Sequence, residues 1–290
     1  MMKNFTVVIC TYKRHLLIKE CLENVLNNSL LPKKIIIIDQ NYDYVTYNKI
    51  VNVFKNKGFK NYTILRNLIQ IGLTKSKNIS IKNIKTKYVF YIDDDIILEK
   101  DYFIKNIKLI FKHKAHAISG VISNFKKNFF KDLVYFIFNF NIFKDNRYFF
   151  INYKKLKKRP IYETFQVPGG ITCFDMQIFK KISFDDKYVT HNYEDVEFNI
   201  RLKKIFKKAK LFINVKSFAF DKLSKNAKEN FDSRLYFMTL LYLKNKSFQN
   251  LIFYILSLTG FLISNILSNK IKNLKNLRKV FKKAVLKSNN

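Results

Sequence analysis

The sequence predicts an α/β protein built on a largely parallel sheet, and three observations carry that expectation. Four short apolar runs, "FTVVIC", "KKIIIIDQ", "YTILR" and "YVFYID", recur within the first hundred residues. Polar or helix-patterned segments separate them, which is the alternation of right-handed βαβ units. Polar residues close three of the runs: Thr11, Asp39 and the triplet Asp93, Asp94 and Asp95. Open sheets of this class bind ligands at the carboxyl ends of their strands.

In order, residues 5 to 10 read as a buried strand ending at "TYKR". The following "LLIKECLENVLNNSL" puts Leu17, Cys21, Leu22 and Val25 on one helical stripe. "KKIIIIDQ" is a fully apolar strand, residues 43 to 58 a weakly patterned helix, and "YTILR" a third strand. "GLTKSKNISIKNIK" reads as a helix, and "YVFYID" as a fourth strand carrying the acidic triplet. Residues 125 to 150 hold eleven aromatics, Phe136, Phe138 and Phe140 among them. They read equally as a core-facing insertion or as a greasy surface for a lipid-like acceptor or membrane. "FQVPGGITCF" is a strand interrupted by Gly169 and Gly170, a pattern that marks a bulge or a close approach of backbone to ligand. A helix is expected to begin near Asn192, with Glu194, Asp195 and Glu197 in its first turn, where the helix dipole suits them.

The tail is different in kind. Residues 247 to 269 contain no charge, and a strongly basic "KIKNLKNLRKVFKK" follows. Recurrent Ser, Thr, Asn and Gln argue for an interfacial helix and then a basic amphipathic one, with a buried C-terminal helix as the alternative. The domain expectation is therefore a domain over 1–220, with a nucleotide-binding half (1–100) and a catalytic half (101–220). A helical, membrane-associating region would cover 221–290.

The chain has 290 residues, 55 Lys+Arg against 21 Asp+Glu, and a formal charge of +34. Such charge points to an anionic partner. Only seven of the basic residues are Arg, and nucleic-acid readers lean on Arg forks, so no nucleic-acid partner is expected. Cys10, Cys21 and Cys173 are odd in number and lack metal-ligand spacing, as in a reduced compartment. The first residues lack a signal-peptide pattern, which makes a cytoplasmic location the expectation. No P-loop, G-x-G-x-x-G or EF-hand loop is present.

Three adjacent carboxylates repel one another unless something positive sits among them. A divalent cation, Mn2+ or Mg2+, held by one or two of them and completed by substrate phosphates would serve. "VVICTYKR", "IIIIDQ", "IGLTKSKNISI", "YVFYIDDDIIL", "PGGITCF", "FDDKY" and "YEDVEFNIR" follow one another in the order of a known family. Across residues 5 to 205 the chain resembles the inverting family 2 glycosyltransferases of the GT-A fold, a Rossmann-like mixed sheet.

The resemblance implies transfer of a sugar from a UDP- or dTDP-sugar to a saccharide acceptor, in bacterial surface polysaccharide synthesis; the tail adds attachment to the inner face of the cell membrane, and with it a lipid-linked acceptor. Thr11, Tyr12 and Arg14 would line the nucleotide pocket, and Asp39 would bind the base. Lys77, standing where the family usually has Arg, would face the diphosphate. The triplet would be the D-x-D element, with Asp95 and Asp93 on the metal and Asp94 nearer the ribose. Gly169 and Gly170 would sit beside donor sugar and acceptor, and Asp195, preceded by Glu194, would be the catalytic base. The stretch "FAFDKLSK" departs from the family, offering Asp221 where many relatives have His.

Simpler readings stand beside these. Glu194, Asp195 and Glu197 could merely complement a helix N-terminus, Gly169 and Gly170 could form a plain turn, and Asp39 could cap the next helix. The rival functions are a metal-dependent nucleotidyltransferase and a non-catalytic basic protein that binds membrane or nucleic acid.

Overall fold

The computed structural model describes residues 4–124, 159–186, 194–223, 231–244, 246–267 and 277–288. The aromatic-rich stretch 125–150 lies outside them, as do the residues just before Glu194.

Strand β1 (Phe5–Thr11) leads through α1 (His15–Leu26) to β2 (Lys34–Asp39), α2 (Val45–Asn56) and β3 (Tyr62–Arg66). Helix α3 (Leu73–Ile81) then returns the chain to β4 (Tyr88–Asp93). These four strands pair in parallel in the order β3-β2-β1-β4. The chain therefore winds outward from β1 in one direction and then crosses to its other side. That reversal leaves a crevice at the carboxyl ends of β1 and β4.

Beyond β4 the sheet becomes mixed. β5 (Ile96–Leu98), α4 (Tyr102–Lys112), β6 (Ala117–Ile122), β7 (Ile161–Glu163) and β8 (Ile171–Asp175) follow, then a 3-10 turn at Met176–Lys180. Helix α5 (Glu194–Ile205) and the long β9 (Leu211–Asp221) complete the sheet region. β8 runs antiparallel between β4 and β6, and β9 pairs with β5, β6 and β7. The largely parallel sheet that the alternation suggests is thus mixed, as the resemblance implies: β8 runs antiparallel to both its neighbours, while β6 and β9 pair in parallel.

Both faces of the central strands are covered, which is why they read as continuous apolar runs. Period-two alternation sends Val7, Ile9, Ile35 and Ile37 into one core and Val8, Ile36 and Ile38 into the other. On the first face α1 buries Ile18, Cys21, Leu22 and Val25. Ile18 takes the place expected for Leu17, which is only half-buried. On the second face Phe198 and Leu202 of α5 pack with Tyr91 and Phe174. All three cysteines are free thiols.

The tail forms α6 (Phe231–Lys244), α7 (Phe248–Leu267) and α8 (Leu277–Ser288). A separate core of Leu235, Met238, Phe261, Val280 and Ala284 joins them, and Val196 of α5 packs into it. Among the described residues no helix is long and apolar enough to cross a membrane.

Candidate active site

The β1–β2 register sets Thr11 beside Asp39, and the β1–β4 register sets Cys10 beside Asp93. The strand-end residues therefore gather at one edge of the sheet. Thr11 Oγ1 donates to Asp94 Oδ2 at 2.7 Å. Arg14 Nη1 donates to Asp94 Oδ1 at 2.8 Å and to Asp95 Oδ2 at 3.1 Å. Part of the positive charge that the triplet needs is therefore supplied by the protein itself. The loop that carries Arg14 bends at Lys13, whose φ of 56° is left-handed, and the Lys13 amide donates to Asn41 Oδ1 at 2.7 Å.

Two depressions adjoin here. One, of about 330 Å3, is lined by Thr11, Tyr12, Arg14, Gln40, Gln70 and the whole triplet. The other, of about 240 Å3, is lined by Asp93, Asp95, Gly169, Gly170, Glu194, Asp195 and Asp221. Asp93 and Asp95 line both, so they form the boundary between the two.

Burial pushes the Asp93 carboxyl up to about 6, with repulsion from Asp95 and Asp94 adding to it against Lys77. Burial, then repulsion from Asp94, likewise raises Asp95 to about 6, against Arg14. Crowded carboxyls that resist ionisation fit a divalent cation, which would carry the charge they lack. Among the described residues no group of three His, Cys, Asp or Glu forms a ready ligand set. A cation on Asp93 and Asp95 would therefore be completed by donor phosphates.

Asp39 is fully buried. Its Oδ1 accepts from the backbone and side-chain nitrogens of Asn41 at 3.1 and 2.6 Å, so it closes a local turn and does not cap α2, whose N-cap is Tyr44. Arg66, its register partner at the end of β3, holds Nε 3.7 Å from Asp39 Oδ2. Neither that Oδ2 nor the facing Arg66 Nε has a hydrogen-bond partner, so the two meet as a buried ion pair without a hydrogen bond. Burial raises the Asp39 carboxyl above its ordinary range.

Lys77 differs from expectation. It is 1% exposed and lines neither depression. Nζ lies 3.2 Å from Glu194 Oε1 and donates to the Gly169 carbonyl at 3.3 Å. Burial alone would lower its ammonium, but Glu194 and Asp93 outweigh this and hold it above its ordinary value. The cation thus ties α3 to the start of α5 and does not face a diphosphate. Burial raises the Glu194 carboxyl against the pull of Lys77.

Gly169 and Gly170 lie in a turn immediately before β8, not inside a strand. Their close neighbours are the site's own carboxylates. A Cβ on Gly170 would fall 1.9 Å from Asp93 Oδ2, and one on Gly169 would fall 3.1 Å from both Asp195 Cβ and Lys77 Nζ. The Gly169 amide donates to Asp195 Oδ2 at 3.1 Å, and the Val196 amide to Oδ1 at 2.8 Å. Backbone donors therefore fix the aim of this carboxylate. Asp221 reaches the site because β5 pairs with the end of β9, setting Ile96 opposite it.

The structure thus gathers Thr11, Tyr12, Arg14, Asp93, Asp94 and Asp95 in one depression and Gly169, Gly170, Glu194 and Asp195 in the next. Asp39 and Lys77 lie buried behind them. The sequence reading missed Gln40, Asn41 and Arg66. Gln40 Oε1 accepts from the Ile71 and Gly72 amides, both at 3.0 Å, tying β2 to the start of α3. Arg66 held a usable signal, being one of seven arginines in a lysine-rich chain and standing at a strand end.

Residues 6–183 match the sequence profile of Glycosyl transferase family 2. No match is found among the curated proteins. Among solved structures, the mannosyltransferase PcManGT from Pyrobaculum calidifontis, in complex with GDP-Man and Mn2+, is similar at TM-score 0.63 and 11% identity. The alignment covers 98% of this chain and 86% of that one. TarS 1-349 of S. aureus is similar at TM-score 0.61 and 15% identity, over 97% and 81% of the two chains. GalNAc-T7 with UDP, GalNAc and Mn2+ gives 0.58 and 12%, over 83% of this chain and 50% of that one.

Proposed function

Since the chain belongs to Glycosyl transferase family 2, and is therefore a glycosyltransferase, we propose that it carries out metal-dependent, inverting transfer from a UDP- or dTDP-sugar. The single observation that supports this most is that Asp93, Asp95 and Asp195 line one depression. One displacement with inversion needs the base and the leaving group on opposite sides of the anomeric carbon.

The nucleotide lies in the depression lined by Thr11, Tyr12 and Arg14, with Asp39 behind it as the acceptor for base N–H groups. Asp93 and Asp95 would hold a divalent cation, Mn2+ or Mg2+, which when bound supplies electrostatic stabilisation of the departing diphosphate. Arg14 adds fixed positive charge at the same place. The acceptor hydroxyl attacks the anomeric carbon as its bond to the diphosphate oxygen breaks, and its proton passes to Asp195. The Gly169 and Val196 amides keep that carboxylate aimed. The neighbours' ligands support the reading, GDP-Man with Mn2+ in one and UDP, GalNAc and Mn2+ in another.

Asp195→Asn preserves shape but cannot take the proton, so kcat should fall about a hundredfold or more with donor affinity unchanged. Transfer rate and donor Kd, measured on the same variant, test this. Full turnover would refute the role, and lost donor affinity would move Asp195 into the binding site.

The acceptor reading is a saccharide or lipid-linked saccharide in surface polysaccharide synthesis. Residues 1–220 would form the catalytic domain and 221–290 its attachment to the cytoplasmic face of a membrane. An exposed stripe on α7 supports that attachment: Phe248, Ile252, Ile255, Leu256, Ile263 and Ile266 are all exposed. At helical spacing they share one side, opposite the buried Tyr254, Ser257 and Phe261. Exposed Lys279, Lys282 and Lys283 on α8 add the basic charge that an anionic surface attracts.

A further inference from the structure

We propose that a lysine-rimmed groove at the opposite end of the sheet binds a soluble ligand carrying several phosphate groups. The groove has a volume of about 860 Å3. It lies where Asn4 precedes β1 and Tyr88 begins β4, while the carboxylates stand at the far ends of the same strands. The two sites are therefore separate.

Its rim carries Lys85, Lys87, Lys112, Lys114 and Lys180, all exposed. Lysine supplies five of the 14 residues around this groove. Among the described residues none of the five has a carboxylate within ion-pair distance. The one acid in the lining, Asp175, spends an oxygen on the Gln177 amide at 2.9 Å.

Five like charges facing a concave surface repel one another until an anion joins them. Phosphate suits this lining: ammonium groups are compact point charges with three donors each, the form in which Lys binds phosphate oxygens. One phosphate would not engage five cations, so the ligand carries several. Buried Tyr88, Ile110 and Ala115 give the groove an apolar component that can accept a sugar or alkyl unit between phosphates. The volume falls within the range of small-molecule pockets, and concavity suits a discrete ligand better than a bilayer.

The test is calorimetric titration of the full chain with sodium tripolyphosphate in EDTA, so that no metal bridges it to the acidic site. The groove variant is Lys85→Gln/Lys112→Gln/Lys114→Gln. Its control, Lys55→Gln/Lys60→Gln/Lys207→Gln, removes the same charge from other exposed positions. Lys87→Gln/Lys180→Gln is a second, independent groove variant. Both groove variants should lose about tenfold or more in affinity, while the control stays within about twofold. Equal losses in control and groove variants would reduce the effect to net charge and overturn the proposal. So would absence of binding by the unaltered chain. A parallel arm uses phosphatidylglycerol vesicles: a groove-dependent loss of vesicle binding without loss of tripolyphosphate binding would assign the groove to lipid and overturn the soluble ligand.

Discussion

Lys77 and Glu194 pair at 3.2 Å with both side chains nearly inaccessible, which makes the pair a positioning device for the start of α5. Removing one partner of a buried pair costs about 3–5 kcal/mol, chiefly by stranding the other charge. Lys77→Met should lose stability on that scale at neutral pH. The pH dependence has a definite sign. Glu194 already has a raised pKa in the fold, and without Lys77 it rises further. Below the unfolded value of about 4.3 the group is neutral in both states and the penalty vanishes; it grows as pH rises through the folded value. Urea unfolding of Lys77→Met between acid and neutral pH should therefore show the loss widening with pH, and a constant loss would mean that Glu194 is not the stranded partner.

At the scale of elements, two local arrangements can be tested. In the turn before β8, Gly170 leaves the room that the Asp93 carboxylate occupies. Gly170→Ala must displace Asp93 or the turn, at about 1–3 kcal/mol by analogy with overpacked cores. Urea midpoint and Mn2+ affinity should fall together in this variant; an unchanged Mn2+ affinity would remove Asp93 from the proposed metal site. On α7 the outward stripe is apolar while the inward side packs with α6 and α8. Truncation before Ser247 would strip that packing from α6, so point charges make the cleaner test. Ile255→Glu/Ile263→Glu alters only exposed positions and should release the protein from anionic liposomes in a flotation assay. Equal flotation would exclude the stripe as the anchor.

For the molecule as a whole, the acidic edge of the sheet makes stability depend on pH and cation together. Asp93 and Asp95 titrate near 6 in the fold against about 3.9 unfolded. The native state binds more protons between these values, so the contribution of these two carboxyls to stability is fullest below about 4 and is lost as pH rises through about 6. A divalent cation favours the ionised carboxylates, so its stabilising effect should be greatest above about pH 6. Thermal unfolding from pH 4 to 8 with and without Mn2+ checks this, and Asp95→Asn should flatten both trends. By itself the sequence determined the first four strands, because continuous apolar runs suit a sheet covered on both faces, and it determined the polar side chains that end three of them; β5, β6, β7 and β9 were not legible in it. It could place Glu194 and Asp195 at a helix start, since that signal is local. Only the tertiary structure decided that the sheet turns antiparallel after β4, since pairing direction depends on chain crossings between residues far apart in sequence. The same holds for Lys77, which the resemblance turns toward the diphosphate and which is buried because α5 brings Glu194 to it. Arg14 on Asp94 and Asp95, Arg66 beside Asp39, and Asp221 at the site edge also arise from register and crossing. A charge finds its partner across distances that no local pattern records.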